Sequence, residues 1–418
     1  MRAGRSSGRL RLLTHIGAWL LMTCVAVGIL RSTIPPENVG PDFIQFWTAA
    51  TLLVHHEDPY DPGHQAAIQR SLGWKKSEEG LGLYDFMPYY YPPWLGLACI
   101  ALLPLGYPLA KMTWIVLAAD ALIAGALLLK DTIRGLTAAV AIGVVVLFGF
   151  SIKSVAMGQI APLVVFLAAL AWWLLDRRRD VAAGAALALL TIKPQLTLLA
   201  IAALLVWCMR RRRWRVVGMF AATLAALGAV SAAFFPGWLR SMLSATTATP
   251  MPTKYFPGIG TTWYSVLDAV GIHGMNLVIV AAVTGAVLIV ALMEAALRKD
   301  TTLEHVIGLG LIAPFFVAPY ARAYDFPVLL IPALALIGSK MTAMSRGLMI
   351  ASLTVLTGLH IAAVTTNWEP AIVGVRRPEF TYFWIPLLIA LVWLAFGGSR
   401  TASESAALES QPLRSREA

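Results

Sequence analysis

The chain has 418 residues, of which 58% are hydrophobic and only 13% charged, against about 25% charged in a soluble domain. Too few polar residues remain to cover a water-soluble globule of this length, which excludes one. The net charge of +11 does not point to nucleic acid, because the cations come in short clusters between apolar runs, as they do where a membrane protein sets its orientation.

The N-terminal tail, residues 1–11, carries Arg2, Arg5, Arg9 and Arg11 and is expected in the cytoplasm. The apolar run from Leu12 to Leu30 reads as an uncleaved first span, since it is long and no small-x-small cleavage site follows it. Residues 31–92 then form a first outer loop of about sixty residues, far longer than an ordinary connection. Inside it Pro41-Asp42 precedes a helical pattern, with Phe43, Phe46, Trp47, Ala50, Leu53 and Val54 on one face. An amphipathic helix resting on the membrane surface is expected there. Asp42 itself has two readings, a helix N-cap or a reactive carboxylate. The run His55-His56-Glu57-Asp58 reads as a polar turn, because adjacent histidines seldom share one zinc geometry. The aromatic and proline cluster Phe86 to Trp94 fits the belt at the membrane boundary.

Beyond the loop, residues 93–135 read as a broken helix ending at Lys130 and Arg134, with a further span at 136–152. Apolar runs follow at 160–175, 181–192, 196–209, 216–234, 274–297, 304–318, 326–338, 348–366 and 381–397. Cytoplasmic marks fall at Arg177 to Arg179, Arg210 to Arg215, Arg298-Lys299, Lys340 with Arg346, and the tail from Arg400. Alternation between these marks places 153–159, 193–195, 235–273, 319–325 and 367–380 outside with 31–92. It predicts about twelve spans, with both termini inside. The domain plan is one membrane domain, residues 12–397, followed by a disordered cytoplasmic tail at 398–418. Runs 181–192 and 196–209 are each short for a crossing and meet at Lys193-Pro194-Gln195, so a charged break is expected below the outer surface. Cys24, Cys99 and Cys208 all lie in apolar stretches and read as buried small hydrophobes. Asp120 also lies inside an apolar run and is assigned to the bundle, not to chemistry.

Several segments together resemble glycosyltransferase family 87, bacterial multi-span enzymes of the GT-C class that use polyprenyl-phosphate sugars, typically mannose. They are Asp42-Phe43 to Ala49-Ala50, Asp58-Pro59-Tyr60-Asp61-Pro62, Tyr91-Pro92-Pro93, Gly158-Gln159, and Gly184 through Lys193-Pro194 to the basic Arg210–Trp214 stretch. Pro319 and Tyr324-Asp325 before Pro327 are similar to the family's late outer motif, and the likeness runs over roughly residues 10–395. The resemblance implies an all-α polytopic GT-C-type bundle in a bacterial inner membrane. It also implies inverting transfer on the outer face from a polyprenyl-phosphate sugar to a hydroxyl of a lipid-linked or envelope glycan acceptor. In this family an aspartate of the first outer loop is the general base, and the matching residue is Asp42. Where some family members carry a histidine pair, this chain has Tyr320-Ala321-Arg322-Ala323-Tyr324-Asp325.

A departing phosphate needs fixed cations. Outer candidates are Lys153, Lys193, Arg240, Lys254, Arg322, Arg376 and Arg377. Lys193 stands first because an ionisable group at membrane depth is costly; Arg322 is second, and Gln159 is a hydrogen-bonding partner for sugar or phosphate. Asp58, Tyr60, Tyr91, Tyr324 and Asp325 complete the expected substrate pocket. No Asp-x-Asp occurs in the first outer loop, so no metal and no cofactor are expected. The expected partners are the donor, the glycan or glycolipid acceptor and membrane lipids. A secondary transporter and a lipid-linked glycan ligase or polymerase are the rival functions, although no repeat of two similar halves supports the first.

Overall fold

A computed structural model describes residues 39–74, 86–248, 260–338, 341–366 and 379–396, with Trp19, Cys24, Val25, Val27, Gly28 and Ser32. Among the described residues there are helices and turns but no strand. Among the described residues five apolar helices are long enough to cross a bilayer: Tyr107–Thr132, Trp214–Phe234, Gly274–Leu297, Ala343–Ala362 and Glu379–Phe396. The outward side of Gly274–Leu297 shows why it is not a water-facing helix. Met275, Ile279, Val283, Val287 and Val290 are all exposed, at helical spacing. An apolar stripe of that length suits lipid and not water.

Beside these, the described residues hold seven shorter apolar helices of 10–17 residues. Ala138–Leu147 and Gly149–Ala156 form a pair bent by 62°, where one span at 136–152 was expected. Phe148 leaves the helical region there (φ −70°, ψ 109°) and its ring is buried against Phe150. Other apolar runs fold as shorter helices joined at breaks, among them Ala161–Asp176, Asp180–Ile192 and Pro194–Arg210. The break expected at Lys193-Pro194 is present. A residue before proline is pushed out of the α region, and Lys193 adopts φ −133°, ψ 72°. The break in 93–135 falls at Gly106, whose φ of +71° ends the short turn Ile100–Leu105 before the long helix Tyr107–Thr132 begins.

Helix Phe43–Val54 exists as expected and is packed largely inside the protein. Nine of its residues are buried, including the polar Gln45 and Thr48, which lie off the apolar face. Thr48 survives burial because its hydroxyl donates to the Ile44 carbonyl at 2.7 Å, satisfying itself within the helix. The helix is packed into the bundle by Phe43 and Phe46, whose rings meet Trp114 at 5.6 and 5.4 Å. Cys99 and Cys208 are buried as expected, but Cys24 is exposed. The start of the chain otherwise lies outside the described residues, as do Lys254, Lys340, Arg376, Arg377 and the C-terminal tail.

Two glycines hold the elements that carry the site. Gly184 lets helix Asp180–Leu189 press on Trp214–Phe234, because a Cβ there would run into the Val216 carbonyl and the Phe220 nitrogen. Gly158 ends helix Gly149–Ala156 with φ +73°. Its N–H and that of Gln159 bond back to Val155 and Ser154, both at 2.9 Å, as in a Schellman cap. The same turn is stitched to the start of the outer-loop helix. Gly40 N–H donates to Ala156 O at 2.7 Å and Asp42 N–H to Met157 O at 3.0 Å, while Trp114 Nε1 donates to Gly158 O at 2.8 Å. A Cβ on Gly158 would stand 3.1 Å from Gly40 Cα.

Candidate functional site

That backbone stitch brings Gln159 beside Asp42 across 117 residues of sequence, and the Gln159 amide donates to Asp42 Oδ2. Asp42 occupies the N-cap position of its helix, yet its side chain makes no capping hydrogen bond. Its carboxylate is turned inward instead and is 4% exposed. The carbonyl end of the same Gln159 amide accepts from Lys193 Nζ at 3.5 Å. The two ends are not interchangeable, because a carboxylate needs a donor and an ammonium needs an acceptor. The charges on either side thus fix which way the amide points.

Lys193 is buried at the break between its two helices and pairs with Asp325, equally buried. Asp325 Oδ2 also accepts the Arg322 backbone N–H at 3.1 Å, which closes the turn that opens Ala323–Leu329. The Arg322 guanidinium is held by Glu379, with Nε to Oε2 at 2.7 Å and Nη2 to Oε1 at 2.9 Å. Lys153 reaches the same carboxylate at 3.4 Å. Three carboxylates (Asp42, Asp325, Glu379) and three cations (Lys153, Lys193, Arg322) therefore form one linked, charge-balanced cluster. Balance matters at this depth, since an unpaired buried charge is prohibitively costly.

Half-buried tyrosines cover the cluster. The Tyr324 ring lies 5.3 Å from Lys193 Nζ and 5.5 Å from the Arg322 guanidinium carbon. Tyr91 stands 6.0 Å from Lys193 Nζ, and Tyr320 Oη lies 3.5 Å from Arg322 Nη1. Burial pushes the Asp42 carboxyl up to about 6, against the opposing pull of the Gln159 hydrogen bond and the Arg322 and Lys193 charges. A carboxylate in that range still ionises at neutral pH but holds a proton more readily than an exposed one.

Of the residues singled out from the sequence, Asp42, Gln159, Lys193, Arg322, Tyr91, Tyr324 and Asp325 are brought together. Asp58 and Tyr60 stand one layer back. Asp58 accepts the Tyr60 N–H at 2.9 Å in its own turn, and Tyr60 Oη donates to the Tyr91 carbonyl at 2.7 Å, so the pair steadies Tyr91. Arg240 is exposed on helix Trp238–Ala248. His56 is exposed and contacts the Phe234 carbonyl at 3.0 Å. Among the described residues no three or more His, Cys, Asp or Glu side chains are grouped to hold a metal ion. Asp120 sits half-buried within Tyr107–Thr132. Glu379 was not singled out from the sequence. Its one visible signal is an acidic residue right after Arg376-Arg377-Pro378 at the start of the last apolar run. Lys111, 6% exposed and 5.3 Å from the Tyr107 ring, was also missed.

The sequence model of glycosyltransferase family 87 matches residues 89–319, more than half of the chain. The chain belongs to glycosyltransferase family 87. As a member it is a membrane glycosyltransferase, and the apolar helices agree with that setting. No curated protein and no solved structure matches it. The family match covers Tyr91, Lys153, Gln159 and Lys193, whereas Asp42, Arg322, Tyr324, Asp325 and Glu379 lie outside it. The two sets are joined only by the fold.

Proposed function

We propose that this family 87 enzyme transfers a hexose, in the first instance mannose, from a polyprenyl-phosphate donor to a hydroxyl of a lipid-linked or envelope glycan, with inversion. The reaction is placed on the outer face of a bacterial inner membrane, with both termini in the cytoplasm and residues 12–397 as one membrane domain. One observation carries the proposal: the Asp42 carboxylate and the Lys193 ammonium meet at the two ends of a single Gln159 amide. A proton acceptor and a cation suited to an anionic phosphate thus stand at opposite ends of one amide.

The chemistry follows from those positions. The acceptor oxygen bonds to the anomeric carbon as its proton passes to Asp42, and the bond from that carbon to the phosphate oxygen breaks. The electron pair leaves with the lipid phosphate, whose growing charge faces Lys193 and Arg322. The raised affinity of Asp42 for a proton suits a base of this kind, and Gln159 keeps the carboxylate oriented. Asp58 and Tyr60 serve by fixing Tyr91, and Tyr91, Tyr324 and Asp325 line the pocket.

Purified protein supplied with radiolabelled polyprenyl-phosphate mannose and a membrane extract of acceptors tests the proposal. Label should appear in a lipid-linked or envelope glycan. Transfer only from a diphosphate-linked donor would favour a ligase or polymerase, and uptake into sealed vesicles without transfer would favour a transporter. Either outcome overturns it.

A further inference from the structure

Asp42, Gln159, Lys193 and Arg322 each have a task in the proposed transfer, whereas Glu379, just as deeply buried, has none. Both of its oxygens are engaged: Oε2 by Arg322 Nε at 2.7 Å, Oε1 by Arg322 Nη2 at 2.9 Å and by Lys153 Nζ at 3.4 Å. Two parallel contacts to one carboxylate fix the plane of a guanidinium as well as its place. With Nε and Nη2 turned to Glu379, Nη1 is the nitrogen presented elsewhere, towards Tyr320 Oη at 3.5 Å. The remaining contacts of Arg322 do not fix the plane of its guanidinium as this pair does. Its backbone N–H is tied to Asp325, and its guanidinium stands beside the Tyr324 ring.

A buried ion pair is a poor device for stability alone, since apolar side chains of similar size often do as well or better. This pair joins the start of the last described helix to a turn 57 residues earlier. Both partners are also buried, between Asp325 on one side and Lys153 on the other. We infer that Glu379 is a positioning residue, which aims Arg322 so that Nη1 faces the donor phosphate, with Lys153 sharing its second oxygen at the more open rim. The inference rests on the reading of Arg322 as a phosphate ligand in the proposed transfer.

The sign of the effect makes it testable. By Coulomb's law alone, removing a negative charge near an anion site tightens anion binding. If Glu379 aims Arg322, its removal weakens binding instead. The probe is polyprenyl phosphate, titrated by native mass spectrometry against the full-length chain in detergent. Glu379→Gln keeps the shape and loses the grip, and is expected to weaken binding about tenfold, as for the loss of one hydrogen bond to a charged group. Arg322→Gln should do the same, and the double variant should bind no more weakly than Arg322→Gln alone. Unchanged or tighter binding by Glu379→Gln, or additive losses in the double variant, would overturn the inference. If Glu379→Gln fails to fold, the double variant, which leaves no carboxylate facing a lost guanidinium, still decides by comparison with Arg322→Gln. The outcome is separable from that of the transfer itself: wild-type protein that binds polyprenyl phosphate yet transfers no sugar sinks the transfer and leaves the positioning of Arg322 measurable.

Discussion

Replacing Lys193 with methionine preserves the length and apolar bulk of the side chain and removes only the ammonium. What is left behind is Asp325, 3% exposed at its side chain, with one remaining contact from the Arg322 N–H at 3.1 Å. Gln159 loses its donor as well. One hydrogen bond to a charged group is worth about 1.5–3 kcal/mol. Orphaning a buried charge costs about 3–5 kcal/mol, so the stranded carboxylate and not the lost contact dominates. Adding Asp325→Asn removes that charge while leaving an oxygen for the Arg322 N–H. The double variant should therefore regain all but about 1 kcal/mol. Denaturant titration in detergent, followed by tryptophan fluorescence, reads the stability, and initial rates against donor concentration read the function. Stability should return in the double variant, but the donor KM should stay high, since no ammonium has been restored. A single variant as stable as wild type would show that the pair is not an obligate buried unit. A double variant with wild-type donor KM would remove Lys193 from the phosphate site.

Further outcomes are expected. The kcat/KM profile should fall on the acid side with a one-proton limb near 6, because the base must be ionised and its carboxyl is raised to about 6. Gln159→Leu should move that limb upward by removing a hydrogen bond that opposes burial, and a limb near 4 in wild type would separate Asp42 from turnover. Gly158→Ala places a side chain at φ +73° and 3.1 Å from Gly40 Cα; it should cost about 1–2 kcal/mol in backbone strain and lower kcat by loosening Gln159, and an unaffected kcat would show that the turn is not what orients it. Gly184→Ala meets backbone atoms of the 214–234 helix, which cannot swing aside as a side chain can, so a loss of about 1–3 kcal/mol is expected in the same denaturant titration. A neutral Gly184→Ala would mean that those two helices are not held at close contact.

The break at Lys193 was legible because two apolar runs, each short for a crossing, meet at a lysine before proline, and that local geometry is dictated by proline itself. The pairing of Asp42 with Gln159 was not legible from spacing. It depends on a left-handed glycine turn clasping a segment 117 residues away, and only family resemblance put both residues in one motif set. Periodicity found helix Phe43–Val54, but a 3–4 apolar pattern shows which face packs and not what it packs against. Its polar side is hidden too, with Thr48 satisfied inside its own helix. The 62° bend at Phe148 has no proline to announce it. Glu379 escaped notice because a single carboxylate beside two arginines reads as a solvated loop, while its real partners, Arg322 and Lys153, are 57 and 226 residues away. The family match rests on residues 89–319, so the residues proposed to do the chemistry at either end of the chain are tied to it by the fold alone.

The most direct measurement is single-turnover sugar transfer by Asp42→Asn, reconstituted with polyprenyl-phosphate mannose and an acceptor lipid, alongside donor binding by the same preparation. With Asp42 as the base, transfer should drop by about 10²-fold or more, while the folded protein binds donor as wild type does. Transfer at the wild-type rate from that variant would leave Asp42 as a spectator in the cluster and contradict the proposed chemistry.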